Sequence, residues 1–348
     1  MSIVIEGGRV PDLLVRKNRA HSANSASDQD AHAGSVRIAL INNMPDSALE
    51  DTEVQFFELL ESAAGDIPVS LKLYSLPKLP HTDAGEKHLS KYYSEIGELL
   101  HSRFDGVIMT GTEPRQADLR NEPYWSALTE VLDWAEQNTT STVLSCLAAH
   151  AGVLYSDGIS RHRLADKQFG VFEYNKIRKH VLTEGVADMM QIPHSRWNEV
   201  RADALSSCGY EVLTQSADAG VDLFVKKKKA SLFVHFQGHP EYGTRTLLKE
   251  YRRDIKRFLR RERETYPTMP HGYFDAAAAK LLSGFQKSVV GEPRQELLAK
   301  LPEAAVSSAV RGTWQVSAAS VYRNWLQFLV STKADAATLP AMTPAARI

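Results

Sequence analysis

The chain is short of several things, and each shortage removes a class of protein. It has two cysteines, Cys146 and Cys208, too few for a disulfide framework and without the C-x-x-C spacing of a zinc site. No apolar run reaches the roughly 18 residues that would span a bilayer, so no membrane role is expected. The first 14 residues carry no basic region ahead of a hydrophobic core, and no signal peptide is evident. Charge of one sign is lacking too. Lys and Arg number 41 against 42 Asp and Glu, a net charge of -1, which suggests neither a nucleic-acid partner nor a membrane surface. The expectation is a cytoplasmic protein with free thiols. The longest basic run, Lys226 to Lys229, lies between two apolar stretches and reads as the polar turn of a hairpin rather than a phosphate site.

What is present is the balance of an ordinary globular chain: 348 residues, 43% hydrophobic and 24% charged, enough for one large domain with additions. Residues 20–35 are small and polar and predict a flexible lead-in, and 333–348 a loose tail. Between them strand signals at 36–42, 69–76, 104–111 and 141–145 alternate with helical ones at 49–63, near 92–100, at 123–137 and after Cys146. Further strand signals follow at 211–216, 221–226 and 231–236, and then a long charged helix over about 245–262. This alternation predicts an α/β fold, a parallel sheet with helices on both faces. Ligands of such sheets gather at the carboxyl ends of strands. Four polar loops fall there: 42–45, 110–114, the turn at Cys146, and Gly-His-Pro-Glu-Tyr at 238–242.

Cys146 stands between a β-favouring run, Ser-Thr-Val-Leu-Ser, and an alanine-rich helical one. A helix N-terminus favours the thiolate, and a tight turn presents sulfur together with backbone N–H groups that could hold an oxyanion. From position alone the thiol is equally a small buried hydrophobe. His239 and Glu241 shift that balance. A histidine within reach of a thiol can take its proton, and a carboxylate two residues on can fix the imidazole's tautomer.

The order strand–Cys–helix, then strand–Gly-His-Pro-Glu about 90 residues later, resembles the class I glutamine amidotransferase-like proteins. Within them the chain is most similar to the homoserine O-acyltransferase (homoserine O-succinyltransferase) family of methionine biosynthesis. The stretches LINNMP (40–45), FDGVIMTG (104–111), LADKQFGVFEY (164–174), PHSRWNEV (193–200) and GHPEYGTRTLLKEYRRD (238–254) carry the likeness, over roughly 36–331. The resemblance implies a flavodoxin-like catalytic domain over 36–265. It also implies an N-terminal extension over 1–35, a C-terminal helical extension over 266–332 and a tail over 333–348. Cys146 would carry the acyl group as a thioester, with His239 and Glu241 as its catalytic partners. Lys167, Ser195 and Arg253 would bind substrate. The activity implied is transfer of succinyl from succinyl-CoA to L-homoserine, without metal or organic cofactor, in a homodimer.

Some positions depart from the family pattern. Leu144 and Ala148 replace the glycines that flank the cysteine of glutaminases, which argues against glutamine hydrolysis. Leu147 replaces a tryptophan common in the acyltransferases. At the position that governs acyl choice in the family, small for succinyl and glutamate for acetyl, stands Arg115. A guanidinium can pair with the free carboxylate of succinyl-CoA where a glutamate would repel it. Acetyl transfer, transfer to serine, and a non-catalytic amidotransferase-like binding module are the alternatives.

Overall fold

A computed structural model describes residues 3–7, 9–16, 21–22 and 34–338. Nine strands form one sheet. They are β1 (Ile3–Ile5), β2 (His21–Ser22), β3 (Val36–Ile41), β4 (Val69–Tyr74), β5 (Gly106–Met109), β6 (Ser141–Ser145), β9 (Glu211–Val212), β12 (Leu223–Lys228) and β13 (Ser231–Phe236). Their spatial order is β2-β1-β4-β3-β5-β6-β13-β12-β9. The five central parallel strands, β4-β3-β5-β6-β13, have the 2-1-3-4-5 order of a flavodoxin-like sheet. The expected fold class is the observed one. At one edge β12 turns back antiparallel on β13, with Lys228 opposite Ser231, so the lysine run is the hairpin turn that its sequence suggested.

The other strands, β7 (His162–Lys176), β8 (Met189–Glu199), β10 (Thr214–Ser216) and β11 (Gly220–Val221), make a second, antiparallel sheet in the order β11-β10-β7-β8. Sequence patterning gave no sign of its long β7–β8 hairpin. Part of the expected lead-in is also strand: β2 pairs parallel with β1, which pairs parallel with β4. The rest of that lead-in up to residue 33, and 339–348 of the expected tail, lie outside the described residues.

The helices are α1 (Asp12–Arg16), α2 (Asp46–Ala64), α3 (Asp83–Tyr92), α4 (Ile96–Leu100), α5 (Trp125–Asn138), α6 (Leu147–Asp157), α7 (Ala202–Ser207), α8 (Thr246–Leu259), α9 (Ala276–Val289), α10 (Glu303–Ser307) and α11 (Gln315–Thr338). The helix expected near 92–100 is shorter, and α3 precedes it, because residues 93–95 break away. There Ser94 bridges to Tyr74 at the end of β4.

Alternation along each central strand builds two cores. Ile38 and Leu40 face one with Val143, Val234, α2 and α11, while Ala39 and Ile41 face the other with Leu144, α5 and α6. The expected C-terminal extension therefore divides. Helices α9 and α10 pack with α8 in a third cluster, but α11 returns to the sheet, and residues 333–338 of the expected tail continue it. Trp325, 2% exposed, donates its indole N–H to Ser141 Oγ at 2.9 Å. A Cβ on Gly106 would come within 2.8 Å of its ring. Gly106 and Ser141 begin β5 and β6, so the indole closes the end of the sheet opposite Cys146. Trp325→Ala is expected to cost about 3–5 kcal/mol, and Gly106→Ala about 1–3 kcal/mol by overpacking. Urea denaturation would measure both, and an unchanged midpoint for Trp325→Ala would show that α11 is dispensable to the core.

Candidate active site

Strands β6 and β13 are parallel neighbours, with Ser145 opposite Phe236, so their carboxyl-end turns emerge side by side. Cys146 follows β6 at φ 52° and ψ -111°, a left-handed conformation that a non-glycine residue adopts only when its surroundings impose it. The imposing contacts are backbone ones. Cys146 N–H donates to Phe236 O at 2.8 Å, and its carbonyl accepts from His150 N–H to open α6. The elbow leaves the sulfur half-buried at the head of the helix.

Across from it, His239 Nδ1 lies 2.8 Å from Glu241 Oε1, and the ring also interacts with the Cys146 side chain. Burial disfavours the imidazolium, but the Cys146 thiolate and the Glu241 carboxylate outweigh it, and the pKa of His239 rises well above its ordinary value. His239 and Glu241 share a tight turn, closed by Tyr242 N–H on His239 O, rather than an extended segment. The Tyr242 ring stacks on His239 at 4.2 Å.

That turn is fixed from behind by groups the sequence reading did not single out. His239 N–H donates to Pro193 O, and Gly238 N–H to Asp222 Oδ1 at 2.6 Å. Burial pushes the Asp222 carboxyl up to about 7. Gln237 donates to the carbonyls of Val200 and Val221, and its amide oxygen lies 2.9 Å from His150 Nε2. Burial holds His150 at about 3 and hence neutral, so α6 is pinned to the strand end that carries His239.

Lys167, Ser195 and Arg253 come together around one acid. Lys167 lies where the β7–β8 register shifts, between Arg163 and Gln168, and such an irregularity re-aims a side chain. Its ammonium is 3.4 Å from Glu250 and 3.5 Å from Asp254. The Ser195 hydroxyl donates to Glu250 Oε2, and the Tyr242 hydroxyl to Oε1 at 2.6 Å. Arg253 is 3.6 Å from Glu250 and 3.2 Å from Asp254. Burial raises the pKa of Glu250, but Lys167, Ser195, Tyr242 and Arg253 together bring it below the ordinary range. Glu250 and Tyr242 are the candidate site residues that sequence reasoning did not single out. The available signal was the spacing of Glu250, Arg253 and Asp254, which puts all three on one face of α8.

Arg115 stands apart. Its backbone N–H and that of Gln116 donate to buried Glu122, and its side chain is exposed. It lines a cleft of about 250 Å³ with Asn43, Pro45, His81 and Thr112. The backbone amides of the 42–45 loop are occupied. Asn43 N–H donates to Thr110 Oγ1 at 2.8 Å and Met44 N–H to Asn42 Oδ1 at 3.2 Å. At the head of α6, Gly111 lies so close that a Cβ on it would be 2.9 Å from Leu147 N.

The sequence model described as Homoserine O-succinyltransferase matches residues 11–336. A homoserine O-succinyltransferase of Rhodopseudomonas palustris is 42% identical over 304 residues, 87% of this chain and 91% of that protein. One of Bradyrhizobium japonicum is 42% identical over 84% of this chain and 90% of that protein. Among solved structures, a glutamine amidotransferase from Thermotoga maritima aligns with TM-score 0.45 and 14% identity, over 85% of this chain and 98% of that one; the fold assignment rests on strand order instead. With the match running from α1 to α11, the chain belongs to the homoserine O-succinyltransferase family.

Proposed function

We propose that the protein transfers succinyl from succinyl-CoA to the hydroxyl of L-homoserine through a thioester on Cys146. The observation that carries this reading is the buried Cys146–His239–Glu241 arrangement on a strained elbow, beside a subsite of balanced charge. The Cys146 thiolate adds to the thioester carbonyl of the donor, and the Leu147 N–H, the first of α6 and without an intrahelical acceptor, faces the developing oxyanion. The C–S bond to coenzyme A breaks, and the departing thiolate takes the proton of the His239 imidazolium. Neutral His239 then takes the hydroxyl proton of homoserine. The alkoxide oxygen attacks the acyl carbon, and Cys146 leaves as thiolate, restoring the ion pair. Glu241 holds one tautomer throughout.

An α-amino acid brings a carboxylate and an ammonium. The Lys167–Arg253 pair and the Glu250–Asp254 pair supply both complements, and Ser195 adds a hydroxyl. Tyr242 joins this subsite to the catalytic histidine, since it stacks on His239 and bonds Glu250. Arg115 stands on the outer cleft, where it would act on the anionic donor as it enters. No metal or organic cofactor has a part in these steps.

Three outcomes are expected. Succinyl-CoA alone should add its acyl mass to Cys146; Cys146→Ala should lose adduct and turnover, while Cys208→Ser keeps both, and turnover by Cys146→Ala would refute the thioester. His239→Asn should reduce turnover by about 10²–10⁴, the usual weight of general base catalysis, and Glu241→Gln should reduce it too; unchanged rates in both would assign proton transfer elsewhere. Gly111→Ala should push on the head of α6 and lower kcat on the order of 10²–10³, the cost of a lost oxyanion donor. Normal kcat in Gly111→Ala would take Leu147 N–H out of the mechanism.

A further inference from the structure

One arginine inside the site has no acid. Arg161 follows α6 and is half-buried. One guanidinium nitrogen donates to the carbonyl of Ala117 at 3.3 Å. Among the described residues it forms no ion pair, so most of its five donor positions face no protein acceptor. Every other cation of the site, Lys167 and Arg253, lies against a carboxylate.

Its neighbours are as incomplete. Tyr124, 4% exposed, has a buried hydroxyl with no hydrogen-bond partner, and a buried polar group without a partner is costly unless a ligand supplies one. Glu122, also 4% exposed, has Oε1 committed to the amides of Arg115 and Gln116. Burial lowers the pKa of Arg161, while Tyr124, Glu122 and a thiolate at Cys146 act against it, so the nucleophile lies within electrostatic reach of the guanidinium. The loop over 110–124 and the Cys146 elbow follow neighbouring strands β5 and β6. Gly111 of that loop lies against Leu147, which sets the loop beside the Cys146 elbow.

A half-buried cation without an ion pair, a buried phenol without a partner and Cys146 nearby describe a receptor for a second negative charge on the acyl group. We propose that Arg161, with the Tyr124 hydroxyl, binds the distal carboxylate of a four-carbon dicarboxylic acyl group on Cys146 and is the residue that selects the donor. The proposal rests on Cys146 carrying the acyl group. It moves to Arg161 the acyl choice that the sequence reading gave to Arg115. Arg115, exposed on the outer cleft, meets water and salt, where a paired charge contributes little. Arg161 is shielded, and a charge-assisted pair there is worth about tenfold to a hundredfold in selectivity.

The test compares acylation of Cys146 by succinyl-CoA and by butyryl-CoA, which has the same chain length and no distal carboxylate. Single-turnover adduct formation is followed by mass spectrometry. The wild-type protein should prefer succinyl-CoA. Arg161→Gln should reduce the succinyl-to-butyryl rate ratio about tenfold to a hundredfold, Tyr124→Phe by a smaller factor, and Arg161→Lys should keep part of it by keeping the charge. Arg115→Gln should change both donors alike. Iodoacetamide labelling of Cys146 in each variant shows that the elbow is intact. An unchanged ratio in Arg161→Gln, or a collapse confined to Arg115→Gln, overturns the assignment. If the wild type forms no Cys146 adduct with either donor, the thioester reading itself fails.

Discussion

The parallel pairing of β6 with β13 is the constraint on which the rest of the site depends. It places Ser145 opposite Phe236, so the two turns that follow open at the same height. One further bond, Cys146 N–H to Phe236 O, then holds Cys146 in a backbone conformation that it would not otherwise keep. A slip of one residue would turn every side chain of β13 to the opposite face. It would also move His239 out of line with the sulfur. The two cores on either side of the sheet guard that register, because each strand buries both of its faces.

The second sheet has a different task. It lays Pro193, His194 and Ser195 along the back of the His239 turn, and Lys167 beside α8, so that one hairpin supports both that turn and the charged cluster. The charges of that subsite are already balanced before any substrate arrives. Two carboxylates and two cations compensate one another at 3.2–3.6 Å, which avoids the cost of an unpaired buried charge. A zwitterion can replace these pairings one for one, whereas a molecule of single charge would leave a side chain uncompensated. Under the proposed function, that arithmetic would favour an amino acid as acceptor.

How much of this the sequence disclosed depended on how local each cause was. The central strands were legible because both their faces are buried and their Val, Ile and Leu runs show it. Cys146, His239 and Glu241 were legible because a strand end, a turn and a helix start mark them. The β7–β8 hairpin was not. It carries His162, Arg163, Asp166, Lys167 and Gln168 along a strand whose first half is solvated, so no alternation appears. Helix α3 was missed for a similar reason, since Gly85 is its one buried residue. Glu250 lay within a stretch whose charged helix was recognised, and its spacing put it on one face with Arg253 and Asp254. That spacing alone does not separate an acid that gathers four partners from one that meets water.

Trp325 belongs to the last helix, yet it closes the base of strands that begin at Gly106 and Ser141. On the ribosome, where chains emerge N-terminus first, every strand of the central sheet could be made before the indole that closes its base. The Cys146 elbow would be assembled on a floor not yet laid. Until residues 315–338 emerge, the core that they complete has an unfilled slot, and a chaperone that shields apolar surface would have the most to hold in that interval.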